Sequence, residues 1–308
     1  MSPKELAPAR IAAPGEKIGD EWLKAGNADR PAERNVTLSV SLVVYQPDLA
    51  LLRATMSSLE RAIRYAREQR ALREVTVWLV DNGSPDAGAV DRVFREEVEL
   101  LEGLRFEVIR GQGNVGYGQG HNLAIRNAGS DYHLVLNPDV VLDETALLSA
   151  VAFMEVHPDV GLLTPWAQDD AGTRHYICRE YPSVFVLFLR GFAPAGMRRR
   201  WEHRLTIYEL RDRIGAEVVK GVPTASGCFM FTRRELLQRL GGFSDRYFMY
   251  FEDTDLSLRL SREAAIAYVP SVRIVHAGGG AARKGLRHVR MFCRSAWTFF
   301  RTHRWKLT

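Results

Sequence analysis

Residues 36–84 read VTLSVSLVVYQPDLALLRATMSSLERAIRYAREQRALREVTVWLVDNGS, and the rhythm of that stretch decides the fold. Val36 to Tyr45 is rich in β-branched and apolar residues, as a parallel strand buried on both faces should be. Leu49 to Arg70 carries Leu52, Met56, Leu59 and Ile63 at helical spacing. Val75 to Val80 is a second buried strand. A strand, a crossover helix and a second strand make a parallel pair, because the helix returns the chain to the end of the sheet where it began.

The alternation continues outward. Ser84-Pro85-Asp86 supplies the turn and N-cap chemistry for a helix running towards Leu100. Leu104 to Ile109 reads as a third strand, followed by a glycine-rich loop and a short helix near His121 to Asn127. Tyr132 to Leu136 is a fourth strand, Glu144 to His157 a helix, and Val160 to Pro165 a further strand. The expected class is α/β: a mainly parallel twisted sheet with helices on both faces. In such sheets ligands gather at the carboxyl ends of the strands. Tyr45-Gln46, Asp81-Asn82-Gly83 and Asn137-Pro138-Asp139 all fall there.

The second half is less regular. Asp169 to Asp212 mixes short apolar pieces with basic residues, and Val218 to Thr232 looks extended around Gly221 and Gly227. Arg233 to Leu240 is a short helix stopped by Gly241-Gly242. Thr254 to Glu263 is another helix, Val272 to Val275 a short apolar strand, and Leu286 to His303 a final basic helix. The expected division is a tail over residues 1–34, a catalytic domain over 35–280 and a basic helical end over 281–308.

The 308 residues are 46% hydrophobic and 26% charged, the balance of a globular protein with a substantial core. No apolar run approaches the ~18 residues that span a bilayer, and the first residues hold no signal-like stretch, so a cytoplasmic location is expected. Cys178, Cys228 and Cys293 lack metal-ligand spacing and read as idle thiols. The net charge of +5 is uneven: after Glu263 there is no acid, but there are nine Arg and Lys. That end suits an anionic partner. Leu286 to Trp305, with Phe292, Trp297, Phe299 and Phe300 among its arginines, is expected to dock on the inner face of the cytoplasmic membrane. The alternative is a helix packed back on the domain with a basic outer side. No nucleic-acid module is recognisable, so nucleic acid is not expected as a partner.

Four stretches bear on chemistry. Gly111, Gly113 and Gly116 spell G-x-G-x-x-G, but after the third strand rather than the first, which argues against a dinucleotide fold. The loop can still bring N–H groups to a phosphate or sugar; a tight structural loop is the bland alternative. Asp81 at a strand end can accept the imide N–H of a uracil or thymine, or merely form an Asx turn. Asp139, with Asn137 two residues before it, suits Mg2+ or Mn2+, which take few protein oxygens; Asn-Pro-Asp is also an ordinary turn. In Tyr250-Phe251-Glu252-Asp253-Thr254-Asp255, three carboxylates stand among aromatic rings at a helix start. The helix N-terminus favours their charge and the rings oppose it, a balance that can poise a base. Simple capping accounts for one acid but not three. Arg259 can orient one of them.

In this order the clusters resemble the family-two inverting glycosyltransferases of GT-A fold, from Val36 to His276. The resemblance rests on Val80-Asp81-Asn82-Gly83-Ser84, Asn114-Val115-Gly116-Tyr117-Gly118, Leu136-Asn137-Pro138-Asp139-Val140, Gly227-Cys228-Phe229-Met230, Gly242-Phe243 and Phe248 to Leu256. The subgroup it is most similar to is bacterial rhamnosyltransferases of lipopolysaccharide and related surface polysaccharides. The resemblance implies a nucleotide-sugar donor, dTDP-β-L-rhamnose, and a saccharide or lipid-linked saccharide acceptor. It implies that Val44, Tyr45, Asp81 and Asn82 surround the donor base, and that Asn114, Gly116, Tyr117, Asn122, Asn137 and Arg259 complete donor binding. Asp139 and His276 would hold the cation, with Asn137 standing where the family pattern has a first acid. Asp253 would be the catalytic base, with Glu252 and Asp255 beside it. Two rivals remain: the same reaction with another hexose or a furanose, and a non-catalytic scaffold that holds a nucleotide sugar.

Overall fold

A computed structural model describes residues 36–98, 104–277 and 285–308. The expected tail at 1–34, and Gly278 to Gly280 with Arg283 and Lys284, lie outside the described residues.

The expected strand-helix-strand opening is present as β1 (Val36–Val44), α1 (Leu49–Glu68) and β2 (Leu72–Asp81). Asp48 starts α1 by accepting from the N–H groups of Ala50 and Leu51, and Leu52, Met56, Leu59 and Ile63 are buried as their spacing requires. Then come α2 (Ala87–Val98), β3 (Leu104–Ile109), α3 (Tyr117–Asn127), β4 (Tyr132–Leu136), β5 (Val140–Leu142), α4 (Ala146–Val156) and β6 (Val160–Gln168). Two short strands follow, β7 (Arg174–His175) and β8 (Cys178–Arg179), and three short helices, α5 (Val184–Gly191), α6 (Ala195–Arg200) and α7 (Glu202–Tyr208). The chain ends through β9 (Val219–Lys220), β10 (Thr224–Ala225), β11 (Phe229–Arg233), α8 (Arg234–Arg239), α9 (Glu252–Leu260), β12 (Ala265–His276) and α10 (Leu286–His303).

The main sheet runs β3-β2-β1-β4-β11-β6-β12-β5. The pairs β1–β2, β1–β4, β2–β3 and β6–β12 are parallel, whereas β11 is antiparallel to both its neighbours. From β1 the chain steps out to β2 and β3, then returns to the other side of β1 as β4. That reversal opens a crevice at the carboxyl ends of β1 and β4, where a ligand can enter. Side chains alternate between the two faces: Leu134, Leu136, Phe229 and Phe231 join one core, Val135 and Met230 the other.

Two departures from the sequence reading have simple causes. Residues 184–208 form three helices of eight residues or fewer, too short to show a helical period. Strand β12 starts at Ala265 rather than Val272, and its register with β6 shifts between Val269 and Arg273. Pro270, inside that shift, interrupts the strand pattern without ending the strand. The aromatics of α10 serve the domain: Phe299 and Phe300 are buried and Phe292 packs with them, against Tyr247, Tyr250 and Phe251. Trp297 stays 57% exposed. Among the described residues no helix is long and apolar enough to cross a membrane. Cys178 and Cys228 are buried, Cys293 is exposed, and all three are free thiols.

Candidate active site

The ends of β1 and β2 form the first wall. Val44 pairs with Asp81, and the N–H of Asn82 donates to Val44 O at 2.8 Å, which carries the ladder one step past the strand. Asp81 and Asn82 are both nearly sealed from solvent, while Tyr45 is exposed. The Asp81 carboxylate accepts from Ser84 N (2.8 Å), so the Asx turn is present. Asn82 Nδ2 donates to Gly116 O (2.9 Å), and Asn114 Oδ1 accepts from Gly116 N (3.1 Å). The glycine loop is thereby tied to the strand ends. Gln112, which the sequence reading passed over, donates to Asp81 O at 2.8 Å and leaves its own Oε1 buried without a partner. Gly116 has φ +90°, and a Cβ there would meet Phe248 O at 2.3 Å. Only glycine fits that approach.

The second wall follows from register. Strand β5 leaves the Asn137-Pro138-Asp139 turn and pairs antiparallel with β12, setting Val140 opposite His276. Ala277 N donates to Asp139 O (3.1 Å), and His276 Nε2 stands 3.5 Å from Asp139 Oδ1. Asn137 Oδ1 and His276 Nδ1 are buried with no hydrogen-bond partner among the described residues. Among the described residues no group of three or more His, Cys, Asp or Glu side chains is placed to hold a metal. The donor set here is one carboxylate, one imidazole and one amide oxygen. That fits a hard cation that takes one or two protein carboxylates and fills its remaining positions with water and phosphate oxygens. His175 was not foreseen. Its ring stacks on His276 at 5.3 Å, and burial, helped by His276, pushes its pKa down to about 4. A lone His in an irregular stretch carries no sequence signal.

The third wall carries the acids. Gly227 N donates to Asp253 Oδ2 (3.0 Å), and Thr254 N donates to Asp253 Oδ1 (2.7 Å). Tyr117 OH donates to Gly227 O (2.7 Å), so the backbone of one residue, Gly227, joins Tyr117 to Asp253. Burial raises the Tyr117 pKa well above the usual phenol range; negative charge at Glu252, Cys228, Asp253 and Asp139 adds to the rise. Tyr117 thus lies within electrostatic reach of both Asp253 and Asp139. Glu252 is buried, and desolvation together with the charge of Asp253 pushes its pKa up to about 8. Its Oε2 has no hydrogen-bond partner among the described residues. At neutral pH Glu252 holds its proton.

The backbone before this helix is strained. Tyr250 (φ 72°) and Phe251 (φ 68°) are both left-handed, a conformation that costs a bulky residue about 1–3 kcal/mol. Helix α10 holds them there. Phe251 lies 5.2 Å from the rings of both Phe292 and Phe299, Tyr250 OH shares a 2.8 Å hydrogen bond with His288, and Ser295 Oγ donates to Met249 O (2.8 Å).

Three expected site residues are committed elsewhere. Two positions apart on a helix, Asp253 and Asp255 face different ways. Asp255 takes Arg259 Nε at 2.8 Å and His303 Nε2 at 2.7 Å. Burial opposes its charge, but those two bonds outweigh burial and hold its pKa below the usual range. Arg259 also donates to Leu240 O and Gly242 O, so it braces the Gly241-Gly242 turn. Asn122 clamps Phe243, donating to its carbonyl (2.7 Å) and accepting from its N–H (2.9 Å). A spacing argument could not separate Asp253 from Asp255; only their partners do.

Comparison with known proteins gives the family and the fold. The sequence model of Glycosyl transferase family 2 matches residues 54–241. An N-acetylglucosaminyl-diphospho-decaprenol L-rhamnosyltransferase of Mycobacterium tuberculosis is 30% identical over 217 residues, 66% of this chain and 67% of that protein. The Rhamnosyltransferase WbbL of Escherichia coli is 31% identical over 173 residues, 53% of this chain and 61% of WbbL. Two solved structures share the fold. GalNAc-T7 with UDP, GalNAc and Mn2+ has a TM-score of 0.57 at 15% identity, covering 80% of this chain. This chain spans 44% of the length of GalNAc-T7. The mannosyltransferase PcManGT of Pyrobaculum calidifontis, with GDP-Man and Mn2+, has a TM-score of 0.56 at 19% identity, covering 91% of this chain and 69% of the other.

Proposed function

This chain belongs to glycosyl transferase family 2, and from that premise we propose that it moves L-rhamnose from dTDP-β-L-rhamnose to a saccharide hydroxyl. It is a glycosyltransferase. Both curated relatives bear rhamnosyltransferase names, and that of the mycobacterial protein specifies a saccharide on a lipid diphosphate. We take the acceptor here to be of that kind, in the synthesis of a surface polysaccharide. The observation that carries the reading is the backbone of Gly227. It holds Asp253 by its N–H and Tyr117 by its carbonyl, beside the Asp139–His276 pair.

The steps follow from that placement. Asp81 and Asn82, with Val44 and Tyr45, form the seat for the donor base. Gly116 and Tyr117 lie where the sugar and diphosphate follow, and the absence of a Cβ at Gly116 lets the loop close on Phe248. Asp139, His276 and Asn137 Oδ1 would hold Mg2+ or Mn2+, which when bound neutralises charge on the departing diphosphate. Asp253 takes the proton from the acceptor hydroxyl. The hydroxyl oxygen attacks the anomeric carbon from the face opposite the diphosphate, and the bond from that carbon to the diphosphate oxygen breaks. One displacement inverts the centre, so the β-L-rhamnosyl donor yields an α-L-rhamnoside. Glu252 keeps its own proton and leaves Asp253 to accept one. The basic chain end suits work beside an anionic membrane face.

Nucleotide release measured over a panel of dTDP-, UDP- and GDP-sugars, with a lipid-diphosphate-linked acceptor, tests the donor. Turnover of dTDP-rhamnose above all others is expected. Turnover of a UDP- or GDP-hexose with none of dTDP-rhamnose would overturn the donor assignment and leave the transferase class intact.

A further inference from the structure

The helical layer at residues 184–208 serves no step of transfer, yet its surface is unusual. Val186, Leu189, Ala193, Leu205 and Tyr208 form a small core of its own. Other apolar residues of the layer face water, among them Phe188 (43% exposed), Phe192 (49%), Met197 (39%) and Trp201 (39%). Among them stand Arg198, Arg199 and Arg200, all exposed. From Tyr181 to Trp201 the chain has no acidic residue. The next two acids are ion-paired, Glu202 with Arg211, and Glu209 with Arg190 and Arg211. None of the three arginines of the run forms an ion pair among the described residues.

The chain terminus extends the same surface. Val184 N donates to Lys306 O (2.9 Å) and Phe185 N to Leu307 O (3.0 Å), which lays the last residues along the start of α5. Trp305 and Leu307 are exposed there, with Arg304 and Lys306 between and beside them. Two segments about a hundred residues apart thus meet in one surface that is apolar and rich in basic residues. Within α10, by contrast, Phe292, Phe299 and Phe300 are spent on the domain core.

We propose that this face, built from α5, α6 and the chain terminus, docks on an anionic lipid bilayer. Aromatic and aliphatic side chains ringed by arginine suit the boundary between headgroups and acyl chains. Each Lys or Arg near an anionic leaflet adds to the attraction. A second copy of this chain is disfavoured as occupant, because it would set like charge against like. The placement also bears on the reaction: Leu187 of α5 is buried in the cluster that contains Phe251, the residue before Glu252. The docked face therefore backs directly onto the segment that presents the base. The inference deepens the lipid-linked acceptor reading, but its test needs neither donor nor acceptor.

The full chain is sedimented with vesicles of phosphatidylglycerol and phosphatidylcholine, and with phosphatidylcholine alone. Binding to the anionic vesicles, weakened by salt, is expected. Arg198→Ser/Arg199→Ser/Arg200→Ser should weaken it by on the order of a hundredfold at low salt. Phe192→Ser/Trp201→Ser should weaken it at all salt concentrations. Unchanged melting temperature and unchanged turnover of a water-soluble acceptor would show both variants folded. Arg290→Ser/Arg294→Ser, on the outer side of α10, should bind nearly as the parent does. The inference is overturned if the parent ignores anionic vesicles at low salt, or if the α10 variant alone loses binding. It is equally overturned if the aromatic variant abolishes self-association of a chain that does not bind vesicles.

Discussion

The two ends of the site are held by different physics. At the donor end, Asp81, Asn137 and Asp139 leave strand ends, and backbone hydrogen bonds fix them: Asn82 N to Val44 O, Asn137 N to Cys228 O and Ala277 N to Asp139 O. At the base end, Asp253 follows two left-handed aromatics, and side chains of α10 hold the segment in place. A ladder cannot be loosened one residue at a time, because each bond is shared with its neighbours. A clamp can. The family match over residues 54–241 contains Asp81, Tyr117, Asp139 and Gly227, while Asp253, His276 and α10 lie past its end.

The contrast can be broken most severely where the ends touch. Gly116→Ala places a Cβ 2.3 Å from Phe248 O at a positive φ, so the glycine loop and the base segment cannot both keep their places. Urea unfolding should show a loss of about 3 kcal/mol or more, and turnover should vanish. At the donor end alone, Asp139→Asn should cut turnover by about a thousandfold with little change in melting temperature. Mn2+ binding measured by calorimetry should weaken with it.

At the base end the expected signature is reversed: stability and kcat fall together while donor affinity survives. Asp255→Ala leaves Arg259 and His303 without their shared carboxylate, and should cost about 3 kcal/mol in urea unfolding. Ser295→Ala removes one bond to Met249 O and should cost about 1 kcal/mol, with a severalfold lower kcat and an unchanged donor KM. If Ser295→Ala raised the donor KM instead, the two ends would not be mechanically separate.

A further effect is a matter of pH. Glu252 is protonated when folded up to about 8, whereas its ordinary value is 4.5. Its neutral form stabilises the fold fully below pH 4.5, and that contribution is lost as pH rises towards and through 8. Glu252→Gln should flatten the decline of stability over that window in melting scans.

The same division explains what could be read from the sequence. Strand ends announce themselves, since a run such as VTVWLV followed by Asp81-Asn82-Gly83 changes character abruptly. The sheet and its switch point were therefore legible, as were the positions of Asp81 and Asp139 beside strand ends. Pro270 hid the first half of β12, and helices of eight residues or fewer hid α5 to α7. The acids of α9 were visible as a cluster, but their separate duties were not. Asp253 turns to Gly227, Asp255 to Arg259 and His303, and Glu252 to no partner. Those duties depend on contacts with residues up to 48 positions away. Periodicity in one segment holds no record of them. Asn122 and Arg259 likewise look like binding residues in a sequence and act as braces in the fold.

The account turns on Asp253 as the group that takes the acceptor proton. Turnover of dTDP-rhamnose by Asp253→Asn, measured beside calorimetric binding of the donor, tests this most directly. The account predicts kcat lower by about a thousandfold or more with donor affinity unchanged. Turnover close to that of the parent, with the donor bound equally well, would contradict it.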